Sequence, residues 1–110
     1  MRKETKEVMT AFLERRSCTR ARTQTNGDAV TLHGNKIAWR EDDGSISMWL
    51  CGYGTVTTRE RLNGLCELLI GKRPWHQKKH EQYYDDYEVG TRQVVTIHTL
   101  QVSDKLEDAA

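Results

Sequence analysis

Apolar positions recur along this chain with two different periods, and the switches between them divide it into elements. Over residues 1–16, Thr5, Val8, Met9, Phe12 and Leu13 share one face at helical spacing, with Glu4, Lys6, Glu7, Glu14 and Arg15 outside it, predicting an amphipathic helix. Ser17 and Cys18 end that period. Residues 19–25 have a strand-like composition ahead of Asn26-Gly27, so a hairpin is expected there. Residues 29–33 and 36–41 flank Gly34-Asn35, a pair that accepts positive φ, and Asp42-Asp43-Gly44 separates the second strand from a third over residues 45–51. Alternation places Val30, Leu32, Ile37, Trp39, Ile46, Met48 and Leu50 on one side of this meander, with Thr31, His33, Lys36 and Ser47 opposite. Trp49 falls on the polar side, where an exposed tryptophan marks a subunit contact or a ligand pocket.

Residues 52–71, GYGTVTTRERLNGLCELLIG, read as a turn feeding a capped helix. Thr57 and Glu60 have capping-box spacing, Leu62, Leu65, Cys66 and Leu69 form one apolar stripe, and Gly71 supplies a left-handed stop. Pro74 prevents the helix from continuing. Tyr83, Tyr84 and Tyr87 sit among Glu81, Asp85, Asp86 and Glu88, reading as an acidic, aromatic connector outside the core, and residues 93–102 alternate as a final strand. The expected fold class is α+β: an antiparallel β-meander with an N-terminal helix and a second helix packed on one face, plus a C-terminal strand. One domain over residues 1–102 is expected, followed by an acidic tail over 103–110 that frays.

A chain of 110 residues with 36% apolar and 30% charged side chains buries a modest core, and chains this short often gain stability as oligomers. No run of 18 apolar residues and no apolar segment behind the N-terminal charges occurs, so neither a membrane span nor a signal peptide is expected. Cys18, Cys51 and Cys66 are odd in number and unpaired in spacing, which favours reduced thiols and a cytoplasmic setting. The net charge of +1 conceals blocks: seven basic against three acidic side chains over 1–22, two against four over 23–56, six against two over 57–80 and two against seven over 81–110. Such balance gives no general support for nucleic-acid binding.

Four constellations bear on chemistry. Gly52, Gly54, Thr57, Thr58 and Arg59 bring flexible backbone, hydroxyls and a guanidinium to a helix start that favours an anion, although capping alone explains the threonines. His76 and His80 are four apart, yet Lys78 and Lys79 would repel a cation and no close cysteine pair assists, so no metal and no cofactor are expected. Cys66 lies on the apolar stripe, Asp42-Asp43 is a turn and Asp85-Asp86 an exposed patch, leaving no catalytic residue to name and pointing away from an enzyme. Arg59, Arg61, Lys72, Arg73, Trp75, His76, Lys78 and Lys79 could stack bases and pair phosphates, but the acidic run behind them would repel a duplex, so nucleic acid is not the expected partner.

Two segments, Leu32-His33-Gly34-Asn35-Lys36-Ile37-Ala38 and Thr55-Val56-Thr57-Thr58-Arg59-Glu60-Arg61-Leu62-Asn63-Gly64-Leu65, resemble a group of small accessory proteins of tailed bacteriophages with an LHGN-IA and T-TTR-RLN-L pattern. The similarity spans about residues 5–70, and Gly52-Tyr53 fills a glycine-aromatic position where tryptophan is more usual. It implies a virus-encoded protein acting in the host bacterial cytoplasm by binding and blocking host factors, in counter-defence or host takeover. Two modes follow. In one, an oligomer sequesters a phosphorylated small molecule such as a nucleotide signal at Thr57, Thr58 and Arg59, with His33, Asn35, Trp49 and Tyr53 lining the pocket. In the other, the acidic segment of residues 81–88 docks on a basic host protein.

Overall fold

The computed structural model describes residues 1–98, and two helices with two antiparallel sheets realise the α+β class. In chain order the elements are α1 (Lys3–Leu13), β1 (Cys18–Arg20), β2 (Thr23–Thr25), β3 (Ala29–Leu32), β4 (Asn35–Arg40), β5 (Ile46–Met48), α2 (Val56–Ile70), β6 (Trp75–Lys78), β7 (Glu81–Tyr84), β8 (Tyr87–Glu88) and β9 (Val95–Ile97). Strands β3 to β5 form the expected meander, the strand expected over residues 19–25 is split into the β1–β2 hairpin that extends it, and β9 returns to pair with β5, completing six strands in the order β1-β2-β3-β4-β5-β9. The rest of the expected final strand and the acidic tail lie outside the described residues.

Both helices cover the same face of this sheet: α1 lies on β1, β2 and β3, and α2 packs on α1, β4 and β6. The core forms between the layers from Val8, Met9 and Phe12, from Leu62, Leu65 and Cys66, and from Val30, Leu32, Ile37, Ile46, Met48 and Leu50. Burial pushes the Cys66 thiol up to about 12, against a smaller opposing pull from the Trp75 indole. The helices approach closely at Gly64, where a Cβ would stand 2.3 Å from Thr5 Cγ2.

Four local expectations are corrected. The tight turn is His33-Gly34 rather than Gly34-Asn35, because Leu32 pairs with Asn35 and both turn residues take positive φ, 52° and 82°. Trp39 leaves the core face: the β3–β4 register runs from Val30↔Ala38 to Thr31↔Lys36, so Ile37 is an extra residue. That bulge turns Ile37 and Ala38 both inward, 2% and 0% exposed, and sends Trp39 to the outer face beside Trp49. Helix α2 begins two residues early, capped by Thr55, whose hydroxyl accepts from the Thr58 amide at 3.1 Å. Glu60 does not reach back to a cap; it accepts from Thr5 Oγ1 at 2.5 Å and pairs with Arg61.

The fourth correction is the largest. Residues 81–88, expected as a connector outside the core, join residues 75–78 in a second three-stranded sheet, β6-β7-β8. Its inner side is core: Trp75 is 2% exposed, and Tyr84 meets it edge-on at 5.4 Å. Asn63 on α2 fastens the first strand, accepting from the Trp75 amide at 2.7 Å and donating to the Trp75 carbonyl at 2.8 Å.

Candidate functional site

At one end of the six-stranded sheet, the His33-Gly34 turn faces the segment that carries the chain from β5 into α2. There Cys51 and Gly52 both take positive φ, 55° and 84°, and the Tyr53 amide donates back to Leu50 at 2.9 Å. This reversal lifts Tyr53 out of the surface, 54% exposed, and sets Thr55 at the helix start. Between the two turns lies a cleft of about 420 Å³, with a floor of Leu32, Ile37 and Leu50 and a rim of His33, Asn35, Tyr53, Thr55, Thr57 and Thr58.

Five of the seven residues singled out from the sequence, His33, Asn35, Tyr53, Thr57 and Thr58, come together on this cleft. Trp49 and Arg59 do not line it. Trp49 Nε1 donates to the Lys36 carbonyl at 2.8 Å, and its ring meets Trp39 edge-on with centroids 6.1 Å apart. Arg59 donates to Gly54 O at 2.9 Å, Gln82 Oε1 at 3.0 Å and Gln77 Oε1 at 3.1 Å, clamping the helix start to the second sheet. Thr55 and the three apolar floor residues were not singled out. Thr55 carried a signal, since its hydroxyl stands three residues before Thr58, the same spacing that suggested Thr57.

The hydrogen-bonding state of the rim separates cap from site. Thr55 and Thr58 are occupied with each other, their hydroxyls 2.9 Å apart. Among the described residues, by contrast, the His33 ring, the Asn35 amide and the hydroxyls of Tyr53 and Thr57 have no protein partner. The first intrahelical bond is Arg59 N to Thr55 O, so the Val56 and Thr57 amides have no carbonyl within the helix. Among the described residues no lysine or arginine lines the cleft.

The other constellations are dispersed. His76 lies on β6, stacked on Tyr83 at 5.3 Å with Nε2 2.7 Å from the Asp85 carbonyl, whereas His80 sits in the turn after β6, so the two do not share a helix face. The basic-aromatic constellation loses its aromatic and its first arginines: Trp75 is in the core, Arg59 is clamped, and Arg61 is 4% exposed. Arg61 donates to Thr23 Oγ1 at 2.8 Å and Thr5 Oγ1 at 2.7 Å while pairing with Glu60, tying α1, α2 and β2 together. Cys18 and Cys51 are half-buried free thiols.

Among the described residues no helix is long and apolar enough to cross a membrane, and no group of three or more His, Cys, Asp or Glu side chains could hold a metal ion. No curated protein and no solved structure matches the chain. The family model described as Kyanoviridae Gp96 protein matches residues 1–101, a span that takes in both sheets, both helices and every residue of the cleft. The chain therefore belongs to the Kyanoviridae Gp96 family of bacteriophage proteins.

Proposed function

We propose that this phage protein works by binding, and that the cleft between the His33-Gly34 turn and the start of α2 sequesters a phosphorylated small molecule of the host cytoplasm, in counter-defence or host takeover. The observation that carries this reading is the convergence of unused polar groups, on His33, Asn35, Tyr53 and Thr57, around a floor of buried Leu32, Ile37 and Leu50. Ligand sites have this composition: mostly apolar walls with a few placed polar groups in a volume of about 300–1,000 Å³. The open amides of Val56 and Thr57 at the positive end of the helix dipole supply a place for an anionic group.

Thermal shift against a panel of nucleotides and sugar phosphates tests it. A ligand at about 100 times its Kd adds about 2.7 kcal/mol, which raises Tm by roughly 10 °C or more in a chain of this size. The rise should shrink in Tyr53→Ala and Thr57→Val. A panel that leaves Tm unmoved removes the reading.

A second reading has its own observation. Glu81, Asp85, Asp86 and Glu88 are exposed and form no ion pair among the described residues, and Tyr87 beside them is 75% exposed. Such a face would dock on a basic host protein. Capture of a host partner that survives Asp85→Lys/Asp86→Lys at unchanged stability would discard this alternative.

A further inference from the structure

Resting on the cleft reading above, we infer the class of ligand: a single nucleoside bearing at most one phosphate, seated by its base rather than by its charge. Three features of the cleft carry this. First, the floor is apolar, made by Leu32, Ile37 and Leu50, so a weakly solvated face suits it better than a charged one. The Tyr53 ring stands at the mouth with half its surface free, available to stack on that group.

Second, the Asn35 amide offers a donor and an acceptor side by side with no partner among the described residues. This pairing complements the adjacent donor and acceptor on the edge of a nucleobase, as amide side chains do in reading adenine. A sugar or an inorganic anion would use the amide but leave the apolar floor dry and unfilled.

Third, charge compensation is small. Arg59, on the first turn of α2, is turned toward Gly54, Gln77 and Gln82, the Arg92 guanidinium stands behind the cleft wall against Gly52, where an added Cβ would lie 3.0 Å from its Nη2, and among the described residues no lysine or arginine lines the cleft. A polyphosphate would bring several charges to a helix end worth roughly half a charge. The excess would be desolvated without a counter-ion, which opposes binding. At about 420 Å³ the cleft also falls near the small end of ligand pockets, suiting one nucleoside rather than two linked ones.

Calorimetric titration of the full chain with adenosine, guanosine, their 5′-monophosphates and 5′-triphosphates, and inorganic phosphate tests the assignment. One purine series should bind, its nucleoside and monophosphate agreeing within about tenfold and its triphosphate weaker by about tenfold or more. Tyr53→Ala should weaken nucleoside and monophosphate alike by about tenfold, and Asn35→Ala should reduce the preference between the two bases. Both positions are at the surface, and circular dichroism verifies that each variant folds. If the triphosphate binds tightest, or inorganic phosphate displaces the monophosphate, the base-led assignment is overturned while the phosphorylated-ligand reading stands. If none of the seven compounds binds, the assignment falls, and the broader reading then rests on the wider panel.

Discussion

Arg61 illustrates how far one side chain can depart from its surface label. Its charge is 4% exposed and engaged by Thr5, Thr23 and Glu60, so removing it strands a carboxylate between the helices. Arg61→Ala should cost about 3–5 kcal/mol in urea unfolding, while Glu60→Leu/Arg61→Met, which removes both charges, should cost less. Burial opposes ionisation of Glu60, yet the hydrogen bonds from Thr5 and Arg61 and the guanidinium's charge outweigh it, holding the carboxyl below its ordinary 4.5. A carboxyl lowered by folding contributes stability that is complete above its unfolded pKa and is lost as pH falls through the folded one. Acid unfolding followed by circular dichroism should therefore steepen below pH 4.5, and Glu60→Gln should flatten that limb. Nothing in the spacing of Glu60 and Arg61 distinguished them from a solvated pair, because their burial depends on how closely α1 approaches.

Among the elements, α2 and the second sheet show opposite legibility. The stripe of Leu62, Leu65, Cys66 and Leu69 and the left-handed stop at Gly71, φ 70°, were readable because helical period and stop signal agree. The cap was misplaced by two residues since Thr55, Thr57 and Thr58 all offer a hydroxyl, and only packing decides which is used. The β6–β7 hairpin was hidden because its turn, Lys79-His80, takes φ of 51° and 71° without the Asn-Gly that advertises such turns. Lys79→Asn/His80→Gly should consequently stabilise the protein by about 1–2 kcal/mol, raising the urea midpoint with an unchanged slope. Gly64 predicts the reverse of its propensity. Alanine is the better helix former by about 1 kcal/mol, yet a Cβ 2.3 Å from Thr5 Cγ2 must push the helices apart, so Gly64→Ala should lower the midpoint.

Across the whole molecule, the cleft wall is braced from behind by the second sheet. Gln82, 7% exposed, accepts from Arg59 and donates to Gln77, and it lies so near Gly54 that a Cβ there would stand 2.8 Å from its amide nitrogen. Gln82→Ala removes that brace at a cost of about 1–3 kcal/mol. It should speed amide exchange through residues 52–58 ahead of global opening. The meander and its helical cover could be read from alternation and period. The rim of the cleft could be read as well, because hydroxyl, amide and imidazole groups cluster in two short segments. Its floor followed from the same alternation, which put Leu32, Ile37 and Leu50 on the core face, whereas the turning of the Arg59 side chain away from the cleft leaves no trace in spacing.

The Cys66 thiol, sealed between Met48 and Trp75 and pushed up to about 12, gives the protein an internal clock. An alkylating reagent meets only Cys18 and Cys51 while the layers stay shut, so the third adduct, counted by mass, records each molecule that has opened and when.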